Sequence, residues 1–116
     1  MNKNLKKRWV KWLRSGRYFR TQRQLVNTKG NAFCCLGVLA DIQGCKWDGR
    51  TPFLGDVRIS ADSGGNPSKG FNGAYIQPKY AGGLDMTFQR KLAFMNDSGV
   101  SFKKIADWIV KNVSAE

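Results

Sequence analysis

Asn4-Leu5-Lys6-Lys7-Arg8-Trp9-Val10-Lys11-Trp12-Leu13-Arg14-Ser15 is the stretch on which the reading of this chain turns. Leu5, Trp9, Trp12 and Leu13 fall at i, i+4, i+7 and i+8, which is one stripe of an α-helix. Asn4 is suited to cap its start, and Ser15-Gly16 to end it, with Gly16 able to take the left-handed conformation after the last turn. Lys3, Lys7, Arg8, Lys11 and Arg14 lie on or beside the opposite face. The spacing predicts an amphipathic helix over 4–15 with one side in the core and the other strongly basic.

Working outward, residues 17–29 are polar, with Arg17, Arg20 and Arg23 spaced between Tyr18, Phe19, Leu25 and Val26. A loop leading into a strand near 25–27, a turn over 28–31 and a returning strand over 32–35 make a hairpin. Leu36-Gly37-Val38-Leu39-Ala40-Asp41-Ile42 reads as a buried segment, a short helix stopped by Gly44 or a continued strand, because so short an apolar run does not show its period. Residues 44–85 hold nine of the thirteen Gly and all three Pro, so loops dominate there, with strand-like patches at 56–60 and 74–77 and a loop tip over 63–68. Asp85 or Thr87 caps a helix running to about Asn96, with Phe88, Leu92 and Met95 on one face. Gly99 breaks it, and Ser101 caps a last helix with the apolar stripe Phe102, Ile105, Ala106, Ile109 and Val113. The expected fold is α+β, a single domain over 1–116. A small antiparallel sheet of hairpins packs against the N-terminal helix and a C-terminal helical hairpin.

The net charge is +12, and its placement matters more than its size. Residues 1–30 carry ten of the twenty basic residues, and the first carboxylate is Asp41. An unopposed basic segment of this kind points to an anionic partner. The three cysteines, Cys34, Cys35 and Cys45, are an odd count, and neighbouring cysteines bridge only with severe strain. A reducing compartment is therefore expected. No stretch approaches the roughly 20 apolar residues of a membrane span, so no membrane partner is expected.

Three blocks carry a resemblance. Trp9 to Tyr18 reads W-x-x-x-L-R-S-G-x-Y, Phe33 to Leu39 reads F-C-C-L-G-V-L, and Asn96-Asp97-Ser98-Gly99-Val100-Ser101-Phe102 leads into Ile105-Ala106-Asp107. In this order they resemble a widespread group of short bacteriophage proteins of unassigned function. The match spans about a third of the chain; Met95 stands where the group usually has leucine, and Thr21-Gln22-Arg23-Gln24-Leu25 fits only in part. The resemblance implies a phage product acting in the host cytoplasm, and supplies no activity.

Chemistry is sparse. There is no histidine, so the commonest general base and metal ligand is missing. Cys34 and Cys35 before an apolar run fit core packing better than catalysis. Gly64-Gly65-Asn66-Pro67-Ser68-Lys69-Gly70 fails the spacing of a phosphate loop. We expect no enzyme activity, no cofactor and no metal. Binding is the stronger reading. Arg14, Ser15, Arg17 and Tyr18 gather guanidinium groups, a hydroxyl and a ring where the first helix ends, and Trp12 adds a second ring for stacking. Asn96, Asp97 and Ser98 offer amide, carboxylate and hydroxyl groups in a turn. These eight residues form the expected ligand site, with the two groups facing one another. The expected function is sequestration of an anionic small molecule, most naturally a nucleotide such as a host immune signal. The alternatives are a nucleic-acid-binding protein, or an inhibitor docking on an acidic surface of a host protein.

Overall fold

The computed structural model describes residues 1–22, 25–26, 31–45, 47–48, 59–60, 76 and 80–115, with the backbone alone for 47–48 and 59–60. Helix α1 spans Lys3–Arg14, and its cap, Asn2, stands two residues before the expected one. Asn2, in extended conformation, accepts from the amides of Asn4 (2.9 Å) and Leu5 (3.1 Å). Asn4 thereby falls inside the first turn, as a donor to the cap. Ser15 closes the helix, and Gly16 follows at φ +76°. Trp9, Val10 and Leu13 are buried, while Leu5 and Trp12 pack against the core half-buried.

Strand β1 (Phe19–Arg20) and strand β2 (Ala32–Phe33) pair in parallel, Phe19 opposite Ala32 and Arg20 opposite Phe33. This corrects the expectation of an antiparallel sheet at this place. Among the described residues of the expected hairpin, Val26 and Phe33 form an antiparallel bridge, with the Cys34 amide donating to the Leu25 carbonyl at 3.0 Å. The Phe33 carbonyl, on the other side of the same peptide, accepts from Thr21 at 2.9 Å. β2 is thus flanked by β1 on one edge and Leu25–Val26 on the other. Strand β3 (Trp47–Asp48) pairs antiparallel with strand β4 (Ile59–Ser60). The strand patch expected at 74–77 lies outside the described residues except for Ile76, which is buried, and the loop tip at 63–68 lies wholly outside them.

Helix α2 (Cys35–Asp41) resolves the ambiguous apolar run. Every residue from Cys35 to Ala40 is buried, as expected of a helix without a polar face. Gly37 is the point of closest approach. A Cβ there would fall well inside contact distance of the Leu25 carbonyl group. Alanine usually gains about 1 kcal/mol over glycine within a helix, whereas overpacking against fixed backbone costs about 1–3 kcal/mol or more. Gly37→Ala is therefore expected to lower stability by about 2 kcal/mol in urea unfolding; a gain would show that Leu25 moves aside freely.

Helix α3 (Met86–Asp97) is capped by Asp85, which accepts from the Phe88 amide at 2.9 Å. Gly99 turns the chain at φ +89°, and Ser101 caps helix α4 (Phe102–Asn112) by accepting from Lys104 at 3.2 Å. The C-terminal helical hairpin is as the caps and apolar stripes indicated. α4 packs along α1 and against α3, and α2 lies against both α1 and α3. The fold is α+β, with the buried α2 at its centre. No helix among the described residues is long and apolar enough to cross a membrane.

Candidate anion-binding groove

The residues singled out at the end of α1 and in the α3–α4 turn find separate partners. Arg14 forms a salt bridge with Asp107 of α4 at 2.6 Å, both side chains well exposed. Ser15 donates its hydroxyl to the Trp12 carbonyl (2.7 Å) and accepts from the Arg17 amide (3.1 Å), so it shapes the turn. Tyr18 donates to Asp41 at 2.6 Å. Burial, then the bond to Asp41 and its charge, raises the Tyr18 pKa and keeps the phenol protonated. Its ring meets Trp12 and Phe33 edge-on, at 5.8 and 5.0 Å between centroids. These rings pack on one another. The arginine that reaches the α3–α4 turn is Arg20, which donates to the Val100 carbonyl at 2.7 Å. Ser98 caps α3 and is exposed, as is Arg17.

Asn96 has a different role from the one its sequence neighbours suggested. It is fully buried. Its side-chain oxygen accepts from the Cys35 amide (3.2 Å), and its nitrogen donates to the Thr21 carbonyl (2.8 Å) and towards Asp97 (3.4 Å). The Cys35 amide opens α2 and has no partner within that helix. Asn96 supplies that partner from α3. The Cys35 carbonyl accepts from the buried indole of Trp9 at 2.9 Å. The three sequence blocks thus meet at one residue, Cys35, held from α1 by Trp9 and from α3 by Asn96.

Five of the cations on α1 line a groove of about 550 Å³ between α1 and the end of α4. Lys3, Lys6, Lys7, Lys11 and Arg14 form its basic wall, and Val10, Val110 and Ala115 its apolar floor. Lys6 is engaged within the fold, donating to the Val113 (2.6 Å) and Val110 (3.3 Å) carbonyls at the negative end of the α4 dipole. Arg8, outside the groove, caps α2 through the Ile42 carbonyl. Lys3, Lys7 and Lys11 are exposed, and their side chains make no hydrogen bond or ion pair with the described residues. No acidic residue stands in the first turn of α1, although an acid there would suit the helix dipole. The sequence showed these lysines as the face opposite the core, at i, i+4 and i+8. It did not show that α4 would turn that face into a concavity.

A family model matches residues 1–113, nearly the whole chain. The chain belongs to the family described as Domain of unknown function (DUF8296). No curated protein and no solved structure matches it. Within this DUF8296 domain the two adjacent cysteines are core residues, as their neighbours suggested. Cys34 and Cys35 are buried thiols, and the Cys34 sulfur accepts from the Gly37 amide as the cap of α2. Burial pushes the Cys34 thiol up to about 12 and the Cys35 thiol well above its ordinary value, so neither is poised as a thiolate nucleophile. Among the described residues, no three His, Cys, Asp or Glu side chains gather to hold a metal ion.

Proposed function

We propose that this protein is a non-catalytic binder of phosphate-bearing anions, with the groove between α1 and α4 as its site. One observation carries the reading: three lysines without partners among the described residues, together with Arg14, line a single concavity. Such an array raises the local concentration of anions and supplies charged donors to phosphate oxygens. The +12 charge adds a favourable long-range field. Sequestration of a nucleotide by the residues around Arg14, Tyr18 and Asn96 has less support, because their polar groups are engaged with one another's helices and turns. The resemblance in the three blocks supports a bacteriophage origin and action in the host cytoplasm, where phosphate-bearing partners abound.

Tripolyphosphate is a suitable probe because it offers charge without a base. At a hundred times its Kd it should stabilise the fold by about 2.7 kcal/mol. For a chain of this size that is about 10 °C or more in melting temperature. A rise no larger than that given by sodium chloride at equal ionic strength would contradict the proposal.

A further inference from the structure

We infer that the occupant of this groove is the sugar–phosphate backbone of a nucleic acid, held without reading its bases. The inference rests on the proposed anion site and names what fills it. Lys3, Lys7, Lys11 and Arg14 stand four, four and three residues apart on one helix. At about 1.5 Å rise per residue, that places cations about 6, 6 and 4.5 Å apart along the axis. The interval is comparable to the separation of successive phosphates along a strand. A lone nucleotide, with its phosphates clustered at one end, engages only part of the row.

The remaining lining agrees. The described walls of the groove present no aromatic ring, amide or carboxylate, so nothing there stacks on a base or reads its edge. Of the rings near the row in sequence, Trp9 is fully buried, and Trp12 and Tyr18 are half-buried and meet in a T-shaped contact. Val10, Val110 and Ala115 instead offer an apolar floor suited to sugar carbons, and Val110 is 49% exposed. Asp107 marks the end of the row. Its carboxylate sits on Arg14 as a phosphate oxygen would, so an arriving strand exchanges with it.

The test is fluorescence anisotropy of the full chain with labelled 20-base-pair duplex DNA of two unrelated mixed sequences, between 50 and 200 mM salt. With four phosphate contacts, log K against log salt should have a slope of about −3.6, a loss of about 150-fold across that range. Both sequences should bind within a few-fold of each other. Lys7→Ala should flatten the slope by about 1 on both duplexes, while Lys91→Ala on the exposed face of α3 leaves it unchanged. Asp107→Asn should tighten binding and steepen the slope, a gain that a damaged fold could not produce. If tripolyphosphate stabilises the protein but the duplexes do not bind at 50 mM salt, the nucleic-acid inference falls and the anion site stands. If neither binds, both fall. A slope that responds to Lys91→Ala and not to Lys7→Ala would overturn the location.

Discussion

Asn96→Leu is expected to lower the free energy of unfolding by about 2–4 kcal/mol, although leucine is apolar and similar in size. The substitution removes the acceptor that the Cys35 amide uses and the donor that the Thr21 carbonyl uses. Stranding the buried Cys35 amide costs about 1–3 kcal/mol, and losing the part-buried bond to the Thr21 carbonyl about 1 kcal/mol more. The gain from a more apolar side chain is smaller than that sum in a site built around an amide. Against a total stability of about 5–15 kcal/mol, the loss is large. It corresponds to a fall of about 10 °C or more in melting temperature. Because Asn96 ties α3 to the start of α2 and to the Thr21 backbone, the loss should appear as weaker cooperative unfolding of the whole domain. Should Asn96→Leu melt with the wild type while losing tripolyphosphate binding, Asn96 would belong to the ligand site after all.

The second large effect concerns binding and leaves the fold intact. Lys7→Glu combined with Lys11→Glu should weaken tripolyphosphate binding by more than a hundredfold. Each lysine supplies a charge-assisted contact of about 1.5–3 kcal/mol, and each reversal adds repulsion at the same place. About 3 kcal/mol is already more than two decades in affinity. Both side chains are exposed and have no partner among the described residues, so no packing is lost. Each reversal also removes two units of the +12 net charge and so relieves self-repulsion, while the dipole effects offset, Lys7 standing in the first half of α1 and Lys11 in its last turn. The unliganded variant should therefore melt no lower than the wild type. Lost binding with unchanged or raised stability, measured by calorimetry and thermal unfolding on one preparation, separates a site from a scaffold.

Helices α1, α3 and α4 were legible because each carries its own signals, whereas the short apolar run of α2 was open between helix and strand. Asp85, Ser101, Gly16 and Gly99 stand at the ends where caps and left-handed turns form, and the stripes on α1 and α4 repeat at helical spacing. The start of α1 was misplaced because Asn2 and Asn4 can both cap. Only the position of the first free amides decides between them. The parallel pairing of β1 with β2 was not legible, since two residues have no period and a turn signal speaks only for neighbours in sequence.

The candidate site was legible in its charge and not in its geometry. That Arg14 meets Asp107, Tyr18 meets Asp41 and Arg20 meets Val100 follows from how α4, α2 and the α3–α4 turn pack, which no local pattern records. Asn96 was the exception, because a signal was present. It follows Leu92 by four residues and so lies on the buried stripe of α3. An amide on an apolar stripe indicates a hydrogen bond across the core before it indicates a ligand. Of the polar members of the three blocks, Asn96 thus owes its place to the grip on Cys35, whereas Arg14 belongs both to a block and to the groove.

The most direct measurement is an amide NMR titration of the full chain with tripolyphosphate at constant ionic strength. Saturable shifts should concentrate on residues 3–14 and 110–115, with the largest near Lys7 and Lys11, and should vanish in the Lys7→Glu, Lys11→Glu variant. Shifts centred instead on residues 15–18 and 96–98, or shifts that never saturate, would contradict the assignment of the site to the α1–α4 groove.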